Sequence, residues 1–240
     1  MIEREVEIET PDGVMRTFIF HPEEEGPHPV VLYYMDAPSI RPALKDMASR
    51  LASAGYYVML PFLYYRNSPF REFGASDEDM HARSQLMGAI TKDGAVRDAA
   101  SLLAFADRDP NAAPGKIGAV GFCMSGPLVI ALANAMPERV AAAASVHGAW
   151  FVTDKPDSTH LNLTNIKGEL YFAWADNDQT APVADMECLE SALRSANARY
   201  RIDFFQNAVH GFAPQGPRYH RYASEKHWER VHALLQRTIG

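Results

Sequence analysis

Apolar and charged residues alternate from Ile2 to Glu9, with Ile2, Val6 and Ile8 set against Glu3, Glu5 and Glu7. That is the pattern of a strand with one face in solvent. Pro11-Asp12-Gly13 is a turn signal and Val14–Phe20 reads as a second strand, so the N-terminus predicts an antiparallel edge hairpin. The pattern then changes. Val30–Met35 is a continuous apolar run, as in a parallel strand covered on both faces. Arg41–Ala54 places Leu44, Met47, Ala48 and Leu51 on one helical face, with Gly55 as its stop. Tyr56–Pro61 is the next buried strand, which completes a β-α-β unit with a right-handed crossover.

The same alternation continues to the C-terminus. Phe62–Asp79 reads as loop and Met80–Asp107 as one or two helices, split near Lys92-Asp93-Gly94. Strands are expected at Lys116–Phe122, Val140–His147, Gly168–Trp174 and Tyr200–Phe205; helices at Pro127–Met136, Val183–Ala196 and Ala223–Thr238. Trp150–Ile166 is polar and irregular. Strands alternating with helices predict an α/β fold, three layers around a mostly parallel central sheet, with the N-terminal hairpin at its edge. No repeat or linker interrupts the chain, which reads as one domain, 1–240.

Composition narrows the function. The chain has 240 residues, 47% of them hydrophobic, and a net charge of −7 with no Lys/Arg run, which argues against nucleic acid as a partner. Cys123 and Cys188 make no disulfide framework. The charged start Met1-Ile2-Glu3-Arg4-Glu5 lacks the apolar core of a signal peptide, and no apolar run reaches the roughly 18 residues of a membrane span. The expectation is a cytoplasmic protein, a monomer or small homo-oligomer, without a membrane partner.

In open parallel sheets, ligands bind beyond the carboxyl ends of the strands. Four such ends carry chemistry here: Asp36, Cys123, Asp178 and His210. Cys123 lies in Gly121-Phe122-Cys123-Met124-Ser125-Gly126, between a buried strand and a helical run. This resembles the G-x-S-x-G nucleophile elbow of α/β-hydrolases, with cysteine for serine and Ser125 at the last glycine. The strained turn requires small neighbours, and the helix N-terminus aims backbone donors at it. A thiol needs a base, and the base an acid to hold its tautomer. His210, in His210-Gly211-Phe212 after the last strand, suits the first role. Asp178 and Asp176 compete for the second; the resemblance to α/β-hydrolases, whose loop pattern G-x-x-D-x-x-x-P is matched by Ala175, Asp178 and Pro182 with alanine for glycine, implies Asp178. His147, at another strand end, is placed to line the pocket, whereas His220, His227 and His232 read as surface residues. Cys188 sits mid-helix and is expected to be inert. No C-x-x-C or H-E-x-x-H spacing occurs, so neither metal nor cofactor is expected. Gly118, Gly121 and Gly126 do not form the G-x-G-x-x-G of a dinucleotide fold.

The elbow, Asp178 with Pro182, the His-Gly-Phe motif and Pro61-Phe62-Leu63-Tyr64-Tyr65-Arg66 together resemble the dienelactone hydrolase family over nearly the whole chain. The resemblance implies the α/β-hydrolase fold and a Cys123–His210–Asp178 enzyme that opens lactones or cleaves related esters through a thioester. It implies backbone oxyanion donors at Met124 and Ala37, and a thiol-contacting carboxylate at Asp36, where the family has glutamate. Of the arginines that hold the substrate carboxylate in the family, the one after the histidine motif is replaced by Ala213-Pro214; Arg83 lies in the region of the other. Tyr64 and Trp150 belong to an aromatic mouth that favours neutral or aromatic substrates. The alternative is a small-molecule binding protein of the same fold with little or no turnover.

Overall fold

The computed structural model describes residues 1–240, which divide into two compact units, Met1–Gly115 and Lys116–Gly240.

In the first unit, β1 (Ile2–Thr10) and β2 (Gly13–His21) form the N-terminal hairpin, closed at Thr10↔Gly13. Gly13 turns the chain at φ +135°, which a residue with a side chain rarely adopts. β2 pairs antiparallel with β4 (Tyr57–Pro61), and β4 pairs parallel with β3 (Val30–Tyr34), giving the order β1-β2-β4-β3. β3 and β4 are buried at every position, as their unbroken apolar runs predict. α1 (Pro42–Ala52) buries Leu44, Met47, Ala48 and Leu51 and packs on β4 and β2.

α2 (Asp77–Ala89) starts earlier than the sequence suggested, because the Ser76 hydroxyl caps it by accepting the Asp79 N–H and three acidic residues fill its first turn. The break before α3 (Lys92–Ala106) falls at Ile90-Thr91, where the Thr91 hydroxyl caps the new helix through the Gly94 N–H. The two helices thus have their own caps, and Gly94 lies just inside the second rather than between them.

The second unit consists of four parallel strands in consecutive order: β5 (Ile117–Phe122), β6 (Val140–Val146), β7 (Glu169–Asn177) and β8 (Arg199–Val209). α4 (Gly126–Ala135) packs on β5 and β6, and α6 (Arg221–Thr238) on β6 and β7; α5 (Val183–Ser195) joins β7 to β8. β7 and β8 run past their predicted ends at Trp174 and Phe205, and the extension is irregular. Ala175 pairs with Phe205 but Asn177 with Val209, so two steps on β7 match four on β8. The surplus makes a bulge containing Asn207 at φ +62°, and the Asp176 carboxylate holds it by accepting the Asn207 N–H at 3.1 Å.

One surface expectation changes, and the placement of the second cysteine is settled. His227 is core: α6 buries it to 1% exposure against Phe122 and Phe212. Cys188 is on the exposed side of α5, while its neighbour Leu189 takes the buried side. No helix is long and apolar enough to cross a membrane.

Candidate active site

β5 ends at Phe122, and Cys123 follows at φ +54° in a one-turn 3₁₀ helix, Cys123–Ser125, that leads straight into α4. The turn is too tight for side chains at two places. A Cβ on Gly121 would lie 2.4 Å from the Ser125 carbonyl oxygen, and one on Gly126 would lie 2.3 Å from Ser145 Oγ. Ser125 itself fits and is fully buried. The indispensable second glycine is therefore Gly126, one residue later than the motif places it.

The bulged register sets the other partners. With Asn177 opposite Val209, the next residues along each strand, Asp178 and His210, stand side by side. His210 Nδ1 donates to Asp178 Oδ2 at 2.7 Å, and His210 Nε2 is 3.0 Å from Cys123 Sγ. Burial works against a charge on His210, but the bonds to Asp178 and Cys123 outweigh it and raise its pKa to about 10. Burial likewise opposes the Asp178 charge; the bond from His210, then the Thr180 hydroxyl and N–H, hold its pKa below the usual carboxylate value. A chain that runs thiol, imidazole, carboxylate can move a proton from sulfur to nitrogen and stabilise the resulting imidazolium. Asp176, the competing acid, is exposed and committed to the β8 bulge.

The surrounding loops are tied to these residues. The Ala149 N–H donates to the Cys123 carbonyl at 3.2 Å, and the Trp150 N–H donates to the Thr180 carbonyl at 3.0 Å. Between them they join the elbow to the acid loop. Trp150 sits at φ +57° and leaves 44% of its surface exposed. The buried Trp174 donates its indole N–H to the Ala181 carbonyl at 2.7 Å. His147 caps the end of β6 at φ +40°, fully buried, with its ring 5.5 Å from that of His210 and edge-on to it. Thr180 escaped the sequence reading. A hydroxyl two residues after Asp178 is the signal available for it in the sequence.

Cys123, Met124, Asp178, His210 and Trp150 all belong to the second unit; Asp36, Ala37, Tyr64 and Arg83 belong to the first. There Asp36 is buried and Arg41 binds both its oxygens, Nη1–Oδ1 at 2.5 Å and Nη2–Oδ2 at 2.8 Å. Tyr64 is buried and donates its hydroxyl to the Ala37 carbonyl at 3.0 Å. Ser39, at φ +74°, closes the loop by donating its N–H to the Asp36 carbonyl. Arg83 is half-buried on α2. No three His, Cys, Asp or Glu side chains converge as metal ligands would.

Comparison with known proteins gives a consistent result. The profile of the dienelactone hydrolase family matches residues 15–239. A Synechocystis protein provisionally named carboxymethylenebutenolidase is 29% identical over 226 residues, 92% of this chain and 91% of its own. Among solved structures, a provisionally assigned dienelactone hydrolase from Klebsiella pneumoniae superposes with a TM-score of 0.88 at 22% identity, covering 98% of both chains. A dienelactone hydrolase from Anabaena variabilis gives 0.71 at 17% identity, covering 100% of this chain and 99% of its own.

Proposed function

Because the chain belongs to the dienelactone hydrolase family, we propose that it is a cysteine hydrolase of lactones and esters that works through Cys123, His210 and Asp178. That it is a hydrolase follows from the family; the residues and the thioester route are our reading. The observation that carries it is the unbroken hydrogen-bonded line from Cys123 Sγ to His210 Nε2 and from His210 Nδ1 to Asp178 Oδ2.

In this mechanism Sγ attacks the carbonyl carbon as its proton passes to Nε2. The tetrahedral oxyanion takes the Met124 N–H, as the family resemblance implies. Each such donor contributes roughly 2.7–4 kcal/mol to the transition state. Collapse expels the alkoxide, which leaves with the imidazolium proton and, for a lactone, stays attached to the acyl chain. Water then gives its proton to Nε2, adds to the thioester and releases the acid as sulfur regains the proton. We assign Asp36 to bracing the Ala37 loop through Arg41, because both its oxygens are already bound there. Tyr64 braces the same loop through the Ala37 carbonyl.

For substrate class, we favour neutral or aromatic esters and lactones. The residues after the histidine motif are the buried Ala213 and an adjacent proline, which supply no cation for a carboxylate, and Trp150 offers an exposed aromatic surface.

The test uses p-nitrophenyl acetate with the wild type and Cys123→Ala. Steady turnover, an acetyl group on the Cys123 peptide early in the reaction, and an inactive variant are expected. Binding without turnover supports the small-molecule-binder reading instead, and acylation elsewhere removes Cys123 from the role. A carboxylated lactone compared with its methyl ester decides substrate charge: higher kcat/KM for the methyl ester is expected. The opposite preference would point to Arg218, whose side chain packs against Gly211.

A further inference from the structure

We propose that Thr180 is a positioning residue whose hydroxyl couples Asp178 to His210, fixing the carboxylate's orientation and the imidazole's tautomer together. This rests on the Cys123–His210–Asp178 reading above.

Thr180 Oγ1 lies 2.6 Å from Asp178 Oδ1 and 3.1 Å from His210 Nδ1. A hydroxyl carries one proton, and an ionised carboxylate can only accept, so that proton belongs to Oδ1. The lone pairs of Oγ1 then face Nδ1, whose proton is shared between Oδ2 at 2.7 Å and Oγ1. Thr180 therefore acts in both directions, as donor to the acid and as acceptor from the base. Its own N–H also reaches Oδ1, at 2.9 Å. With Oδ1 clamped twice, Oδ2 is left to the histidine. The terminal torsion of an aspartate is otherwise broad and roughly two-fold, so a carboxylate held by one bond can turn.

The clamp is itself anchored. The Thr180 carbonyl takes the Trp150 N–H, and the next carbonyl, of Ala181, takes the Trp174 indole N–H. The backbone part of the clamp would survive any substitution at position 180 except proline, but the hydroxyl part needs threonine or serine.

Thr180→Val removes the hydroxyl and keeps the β-branched shape; Thr180→Ser restores the hydroxyl. The readouts are kcat and KM for p-nitrophenyl acetate across pH, with melting temperature as a control. The charged or titratable groups around His210 are Cys123 from the end of β5, His147 from β6, Asp178 from β7 and Arg218 beside Gly211. All of them stay in place in both variants.

Thr180→Val is expected to lower kcat about ten- to a hundredfold, the scale of one hydrogen bond to a charged group, with little change in KM. Its alkaline limb should move to lower pH, because the imidazolium loses Oγ1 as an acceptor while the backbone N–H still holds the carboxylate. Thr180→Ser should stay close to the wild type in both respects. If Thr180→Val keeps wild-type kcat and pH limbs while Cys123→Ala is inactive, this inference fails and the catalytic reading stands. A loss shared equally by both variants, or one that follows a fall in melting temperature with the limbs unmoved, also overturns it. If Cys123→Ala stays active, the underlying reading fails and takes this one with it.

Discussion

Cys123 stands at φ +54°, a conformation that costs a non-glycine residue about 1–3 kcal/mol and persists only when its surroundings enforce it. Here the enforcement is backbone: the Ala149 N–H on its carbonyl, and a turn closed so tightly that Gly121 and Gly126 admit no Cβ. The chemistry attributed to this thiol comes from His210, and that separates it from the second cysteine. Cys188 is exposed on α5 whereas Cys123 is only 9% exposed, so iodoacetamide should modify both. Peptide mapping over time should show activity lost in step with Cys123 alone, and Cys188→Ser should keep full activity. His210 also links pH to stability. Its folded pKa, near 10, is raised above the ordinary value of 6.5, so its contribution is fully present below about pH 6.5 and is lost as pH rises through 10. Urea denaturation of the wild type and His210→Asn should show the wild-type advantage shrinking over that interval.

At the level of elements, the β8 bulge decides which aspartate meets the histidine. Asp176 holds the bulge and Asp178 faces His210, so the two carboxylates should fail differently when neutralised. Asp178→Asn is expected to cost about a hundredfold or more in kcat, since in the proposed mechanism Asp178 orients and charges the base. Asp176→Asn should stay within about threefold, the range of a surface substitution, and should show mainly as faster amide exchange at Asn207. Periodicity could deliver the strands, because apolar runs such as Val30–Tyr34 and Ile117–Phe122 report burial directly. The ends of β7 and β8 were not legible, because Asp176, Asn177, Gln206 and Asn207 are polar residues held in the sheet by pairing rather than by burial. Asp178 and His210 could still be named from motif spacing, which survives an irregular strand end. Thr180 could not, because its value lies in two distances that no spacing encodes. His227 reversed its expected exposure because the hydrophobic stripe of α6 follows Trp228 more closely than chain position suggests.

At the scale of the whole molecule, a buried charge ties the hairpin turn of the first unit to its helix α3. Asp98 on α3 has a side chain only 2% exposed; it accepts the Tyr65 hydroxyl at 2.7 Å and both terminal nitrogens of Arg66, which also reaches Asp12 in the hairpin turn. Neutralising Asp98 weakens the charged bonds it accepts while Arg66 keeps Asp12, so Asp98→Asn should cost about 1.5–3 kcal/mol, measured by urea denaturation, with kcat preserved in the folded fraction. Light emission is a second property of the whole chain. It has three tryptophans; Trp174 and Trp228 are 2% and 3% exposed and Trp150 is 44% exposed. Acrylamide should therefore quench chiefly Trp150, and Trp150→Phe should remove most of the quenchable fluorescence. Because the Trp150 backbone is bonded to the Thr180 carbonyl and adjoins the residue bonded to the Cys123 carbonyl, its indole is expected to serve as an intrinsic optical reporter. If the proposed acyl-enzyme forms, its arrival and departure should change this emission and be timed in a stopped-flow fluorimeter with unlabelled protein and a colourless substrate.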